Sequence, residues 1–179
     1  MESHERLRLF VALLLPDTAV SDLVEWQLRE LAGANVRIVP PENLHVTVAF
    51  IGGRPAEELE SIIAAVRAAA GGSSKPLLTP VRYRETRSVG MIVFSDEGGR
   101  AVRLAARVFD GLERLGAYER ERREWLPHVT VARFREGPRL DLTPPPLEPV
   151  VSSEIAVMIS RLRPSGAEYE VVESMPLGG

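Results

Sequence analysis

Apolar and polar positions along this chain fall into blocks whose period changes several times. Arg8 to Leu15 is a short apolar run stopped by Pro16, which predicts a buried strand. Asp17 is placed to cap a helix running to about Ala32, with Val20, Val24, Leu28 and Leu31 at helical spacing and Gly33 closing it. After a turn at Pro40-Pro41-Glu42-Asn43, Leu44 to Ile51 predicts a strand ended by Gly52-Gly53. A second helix follows, with Pro55 in its first turn, Glu57 and Glu58 at its positive end, and Leu59, Ile62, Ile63 and Val66 facing inward. Gly71-Gly72-Ser73-Ser74 is a break.

Pro76 to Arg84 and Ser88 to Ser95 then read as strands, and about Gly99 to Leu115 as a helix with Val102, Ala105, Phe109 and Leu112 on one face. Tyr118 to Glu124 is a charged loop, and Pro127 leads into a strand from His128 to about Arg135. Pro138 to Pro149 is irregular, because Pro144-Pro145-Pro146 cannot supply regular hydrogen bonds. Val150 to Leu162 and Tyr169 to Val172 finish as strands paired across Pro164-Ser165-Gly166.

The order contains an imperfect repeat of strand, helix, strand. His45 lies 36 residues after Leu9, and His128 lies 39 after Val89. The fold class expected is α+β: two pseudo-symmetric lobes, each a mostly antiparallel sheet with helices outside, facing each other across a central cleft. Residues 1–179 are read as one bilobal domain, with the repeated motifs at 45–48 and 128–131.

Composition narrows the chemistry. The 179 residues contain no cysteine, which excludes disulfides and cysteine-based zinc sites. No stretch near the start has the length of a membrane span or the form of a secretory signal, so a soluble cytoplasmic protein is expected. A net charge of −3 argues against a broadly basic nucleic-acid binder. Of the 22 basic residues only Lys75 is lysine. Codon bias in a GC-rich genome accounts for that, and arginine's planar fork also suits phosphate. Any arginine serving a phosphate must be concentrated at the cleft, with Arg6, Arg8, Arg82, Arg84, Arg87, Arg161 and Arg163 as candidates.

The three histidines are His4, in a polar start read as a bystander, His45 and His128. His45-Val46-Thr47-Val48-Ala49 and His128-Val129-Thr130-Val131-Ala132 are identical, each in a predicted strand. Alternation puts His45 and Thr47 on one face and His128 and Thr130 on another, with the valines buried behind. If the lobes face each other, two imidazoles and two hydroxyls converge. Two histidines can serve as base and acid in one turnover, and two hydroxyls can hold the non-bridging oxygens of a phosphodiester, without a metal or other cofactor. Such a site predicts a bell-shaped dependence of activity on pH. A lone His-x-Thr is ordinarily structural, but here both copies recur at matching places in the repeat.

The paired His-x-Thr-x motifs resemble those of the two-histidine (2H) phosphoesterase superfamily, and within it the RNA 2′,3′-cyclic phosphodiesterases, also called 2′-5′ RNA ligases. The similarity extends to Arg8-Leu9-Phe10-Val11-Ala12, Pro41-Glu42-Asn43-Leu44-His45, Trp125-Leu126-Pro127-His128 and the closing segment Ser160 to Glu170. The resemblance implies hydrolysis of a terminal RNA 2′,3′-cyclic phosphate to a 2′-phosphomonoester, a reversible 2′-5′ joining of RNA ends, and a place in RNA processing that includes tRNA. It implies that His45 is the proton donor and His128 the proton acceptor, that Thr47, Thr130 and Arg133 bind substrate, and that the protein is a monomer whose partners are RNA ends, with no metal and no membrane. Five residues beyond His128, Arg133 falls on the far face of a regular strand. It reaches the phosphate through a twist or bulge, or else it only braces the site. Phe50 stands at the equivalent place in the first copy. Phe10 is read as core, with stacking on a terminal base as its alternative. Three other functions fit less well: a phosphoesterase for a small cyclic nucleotide such as ADP-ribose 1″,2″-cyclic phosphate, a non-catalytic RNA-binding protein, and a metallohydrolase.

Overall fold

In a computed structural model the described residues are 5–178, so His4 lies outside them. Among these residues, nine antiparallel strands form one continuous sheet, accompanied by three α-helices. The strands are β1 (Arg6–Leu13), β2 (Arg37–Ile38), β3 (Val46–Pro55), β4 (Leu77–Glu85), β5 (Val89–Asp96), β6 (His128–Arg133), β7 (Val150–Val151), β8 (Glu154–Arg163) and β9 (Gly166–Pro176). The helices are α1 (Asp17–Glu30), α2 (Leu59–Ala70) and α3 (Arg100–Arg114).

Spatial order is β7-β4-β5-β6-β3-β1-β8-β9, with β2 paired to β6 beside β3. The expected two halves are both present, β7-β4-β5-β6 and β3-β1-β8-β9. They join through a single residue pair, Val46 with Val129. That pair is the centre of the repeat, since it is the second residue of each His-Val-Thr-Val-Ala segment.

Behind the sheet, Leu9, Val11 and Leu13 of β1, Ile92 and Phe94 of β5, Val129 and Val131 of β6, and Ile155 and Val157 of β8 form the main core with the helices. The helices do not stay with their own half. α1 follows β1 but packs on the β4-β5-β6 half, where Trp26 meets Tyr83 and donates to the Thr143 carbonyl (2.9 Å). That bond pins the irregular 138–149 segment. α3 follows β5 but packs on α2, and Arg107 donates to the Ala68 and Gly71 carbonyls at the negative end of α2.

Several boundaries move from those the sequence predicts. Gly52-Gly53 does not end β3: both pair with β1, and the strand continues to Pro55. The second helix therefore begins after Pro55, through a 3₁₀ turn at Ala56–Glu58. Pro16, not Asp17, occupies the N-cap position of α1, and no side chain caps it. The buried face of α1 is Ala19, Leu23, Trp26 and Gln27, whereas Leu28 is 64% exposed. In α3, Val102 is likewise exposed, and Ala101, Leu104 and Val108 join Ala105, Phe109 and Leu112 inside. The expected long strand after Pro149 is broken at Ser152, whose hydroxyl donates to the Leu14 carbonyl (2.8 Å). Among the described residues, no helix is long and apolar enough to cross a membrane.

Candidate active site

The Val46–Val129 pair dictates the layout of the open face of the sheet. In an antiparallel pair the residues on either side of a matched position face one another in reverse order. His45 therefore stands across from Thr130, and Thr47 across from His128, all four on the side opposite the buried valines. These four side chains line one cavity of about 350 Å³. Trp125 ties the two copies together by donating its Nε1–H to the Thr47 carbonyl (3.1 Å).

Beyond the quartet, each motif strand carries a bulge at the same residue. Against β1, β3 skips Val48 between Thr47 and Ala49; against β5, β6 skips Val131 between Thr130 and Ala132. Two successive residues are then buried in each strand, Val48-Ala49 and Val131-Ala132. The residue after them returns to the open face. Arg133 and Phe50 both line the cavity as a result, so it is a bulge that brings Arg133 to the open face.

The bulge in β6 is held from behind by Gln27 of α1, a buried polar side chain. Its Nε2 donates to the carbonyls of Val131 (2.8 Å) and Val39 (3.0 Å), and the Val39 amide also donates to Val131 (3.0 Å). Replacing Gln27 with leucine keeps the volume and leaves the Val39 carbonyl buried without a partner. The expected result is a loss of about 1–3 kcal/mol in urea denaturation, with faster hydrogen exchange at the Ala132 and Arg133 amides. An unchanged midpoint would show that Gln27 does not hold the bulge.

The two imidazoles sit in different surroundings. His128 Nδ1 lies 2.8 Å from the Leu126 carbonyl, so the neutral ring donates from Nδ1 and keeps the Nε2 lone pair free. His45 is packed between Phe10 (centroids 5.1 Å apart) and Tyr169 (5.3 Å), and its Nε2 is 2.9 Å from the Thr47 hydroxyl. Burial pushes His45 down to about 4, and the positive charge of Arg133 pushes the same way. The Asn43 backbone nearby favours the charged ring, but Nδ1 itself has no hydrogen-bond partner. Phe10 is buried, as core packing requires, yet it forms the floor beneath His45 in a small cluster with Ala12, Ala156 and Met158.

The charge of the cavity is one-sided: its lining contains Arg8, Arg37 and Arg133 and no carboxylate. Of the seven arginines that the sequence offers for the cleft, only Arg8 lines it, with its guanidinium 4.7 Å from the centre of the Phe50 ring. Arg6 donates to the Gly53 carbonyl, and Arg82, Arg84 and Arg87 do not line it. Arg161 and Arg163 alternate to the other face of the hairpin, paired with Glu170 and Glu168. Arg37 was not among the candidates. It lies in a two-residue strand with no periodicity to read, and only its pairing with Arg133 brings it to the site. Among the described residues, no three of His, Asp or Glu gather as metal ligands would.

Comparison with known proteins gives concordant matches. The family model for LigT-like phosphoesterases matches residues 15–78. A protein of Thermus thermophilus named RNA 2′,3′-cyclic phosphodiesterase is 33% identical over 97% of this chain and 91% of its own length. A protein of the same name from Archaeoglobus fulgidus is 31% identical over 72% of this chain and 73% of its own. Among solved structures, apo Escherichia coli LigT superposes with a TM-score of 0.85 over 98% of this chain and 99% of that one; at 21% identity the likeness is one of fold.

Proposed function

The chain belongs to the LigT-like phosphoesterase family, and on that premise we propose that it opens the 2′,3′-cyclic phosphate at an RNA end to a 2′-phosphomonoester. The observation that supports this most is the Val46–Val129 pair, which sets the two His-Thr motifs face to face with a common anion-attracting cleft between them.

In this reading the phosphate sits among Thr47, Thr130 and Arg133, whose donors meet its non-bridging oxygens. His128, with Nδ1–H committed to the Leu126 carbonyl, takes a proton from water on Nε2. The water oxygen bonds to phosphorus as the bond from phosphorus to the 3′ oxygen breaks. His45 delivers a proton to that leaving oxygen. In the empty cleft His45 is neutral at pH 7. The incoming phosphate anion opposes the charge of Arg133 and so raises the proton affinity of the ring. With a 5′-hydroxyl in place of water, the same steps form a 2′-5′ linkage.

The deciding experiment is an incubation with an oligoribonucleotide ending in a 2′,3′-cyclic phosphate, with and without a chelator, alongside ADP-ribose 1″,2″-cyclic phosphate. The expected product is the 2′-monoester, formed at the same rate with the chelator and faster than the small molecule is consumed. A 3′-monoester, or turnover of the small molecule alone, would reject the reading.

A further inference from the structure

Arg37 and Arg133 are directly opposite each other in the β2–β6 ladder, and both line the cavity. Like charges at directly opposed positions destabilise a sheet unless something answers them. Among the described residues neither guanidinium has an ion-pair or hydrogen-bond partner. The nearby hairpin leaves room for Arg37, since a side chain at Gly166 would collide with its guanidinium. A second orphan belongs to the same cavity. Asn43 donates Nδ2–H to the Ala167 carbonyl (2.8 Å), which fixes the orientation of its amide, and its Oδ1 is buried without a partner. This end of the cleft therefore lacks both an anion and a hydrogen-bond donor.

Position along the sheet says which part of a ligand falls there. From the Val46–Val129 centre, β6 runs from Thr130 to Arg133, three residues or about 7–10 Å, toward Arg37. β3 and β1 run the other way, to Phe50 and Arg8. A phosphate held in the His-Thr quartet thus has a guanidinium pair at one end of its cleft and a cation–aromatic platform at the other.

Resting on the hydrolase reading, we infer that Arg37, together with Arg133 and Asn43, forms a subsite for the nucleotide that precedes the cyclic end. Its phosphodiester lies against Arg37, with Arg133 between it and the cyclic phosphate, and its vicinal 2′-hydroxyl donates to Asn43 Oδ1. The preferred substrate is then an RNA chain and not a mononucleoside cyclic phosphate. The anion gives grip and register, and the hydroxyl distinguishes RNA from DNA.

The test uses three dinucleotide 2′,3′-cyclic phosphates: one all-ribose with a native linkage, one with a neutral methylphosphonate linkage, and one with 2′-deoxyribose at the first nucleotide. Loss of the linkage charge is expected to lower kcat/KM by about tenfold, mostly through KM, and loss of the hydroxyl severalfold. In Arg37→Gln the ratio between native and methylphosphonate substrates should collapse toward one. Arg8→Gln, at the other end of the cleft, should keep the ratio. Equal kcat/KM for all three substrates in the wild-type protein overturns the subsite, as does a response to the hydroxyl without a response to the charge, or a full ratio in Arg37→Gln. If no cyclic end is opened at all, the hydrolase reading fails instead. Calorimetric binding of the native and methylphosphonate compounds then decides the subsite by itself: tighter binding of the charged linkage upholds it and equal affinity removes it.

Discussion

Replacing His128 with alanine is expected to slow opening of a terminal cyclic phosphate by about 10²–10⁴-fold, with little change in the stability of the fold. The ring is only partly buried, and its hydrogen bond among the described residues is to the Leu126 carbonyl, which solvent can take over. Stability should therefore stay within about 0.5 kcal/mol of wild type, and calorimetric binding of the 2′-phosphate product should be nearly unchanged. In the proposed mechanism the base and the acid act on one phosphorus centre in one step, so the double variant His45→Ala/His128→Ala is expected to be little slower than either single one. Independent, multiplying losses would mean that the two rings do not serve the same step. A rate within a few-fold of wild type in His128→Ala would remove the proposed base.

The second large effect concerns acid. His45 is held at about 4 in the folded protein against 6.5 for a free imidazole. As pH falls below 6.5 the unfolded chain binds a proton that the folded chain refuses until about pH 4. Stability supplied by the neutral buried ring is thus complete above 6.5 and is lost progressively between 6.5 and 4, up to about 3 kcal/mol. In urea denaturation at pH 7 and pH 4, the wild-type protein should lose about that much more than His45→Gln does. Parallel losses in the two proteins would show that the ring is not strained toward neutrality. Activity should carry the same mark. The bell expected of two ordinary imidazoles is stretched on its acid side, so the acid limb of kcat/KM is expected near pH 4. The limb of kcat should lie higher, because bound phosphate restores proton affinity to His45.

Much of the layout of the candidate site was legible because strand alternation is a strict rule wherever one face is buried. His45, Thr47, His128 and Thr130 followed from it directly. Arg133 did not, because the rule assumes an unbroken ladder. The signal of the break was nevertheless present: each motif has two consecutive apolar residues, Val48-Ala49 and Val131-Ala132, where a regular strand would have one. The expected face of α1 holds at Val20, Val24 and Leu31, which pack against the core or lie in it, and departs at Leu28, which is exposed while Gln27 is inside, serving two backbone carbonyls. Arg37 could not be read locally. Its importance arises from pairing with a residue 96 positions away, and no periodicity in a two-residue strand announces such a partner. The exchange of helices between the halves was hidden likewise, since amphipathic spacing says which side of a helix is covered but not which sheet covers it.

The matched bulges have one more consequence. They bring positions 50 and 133 to corresponding places around the Val46–Val129 centre, and the occupants differ, phenylalanine in one case and arginine in the other. A cleft with identical ends would admit a bound strand in two directions related by a half-turn, and each imidazole would then meet the departing oxygen in half of the encounters. Unlike ends abolish that degeneracy. A duplicated scaffold thereby acquires a sense of direction along a bound strand, which is what the opposite assignments proposed for two chemically identical rings require.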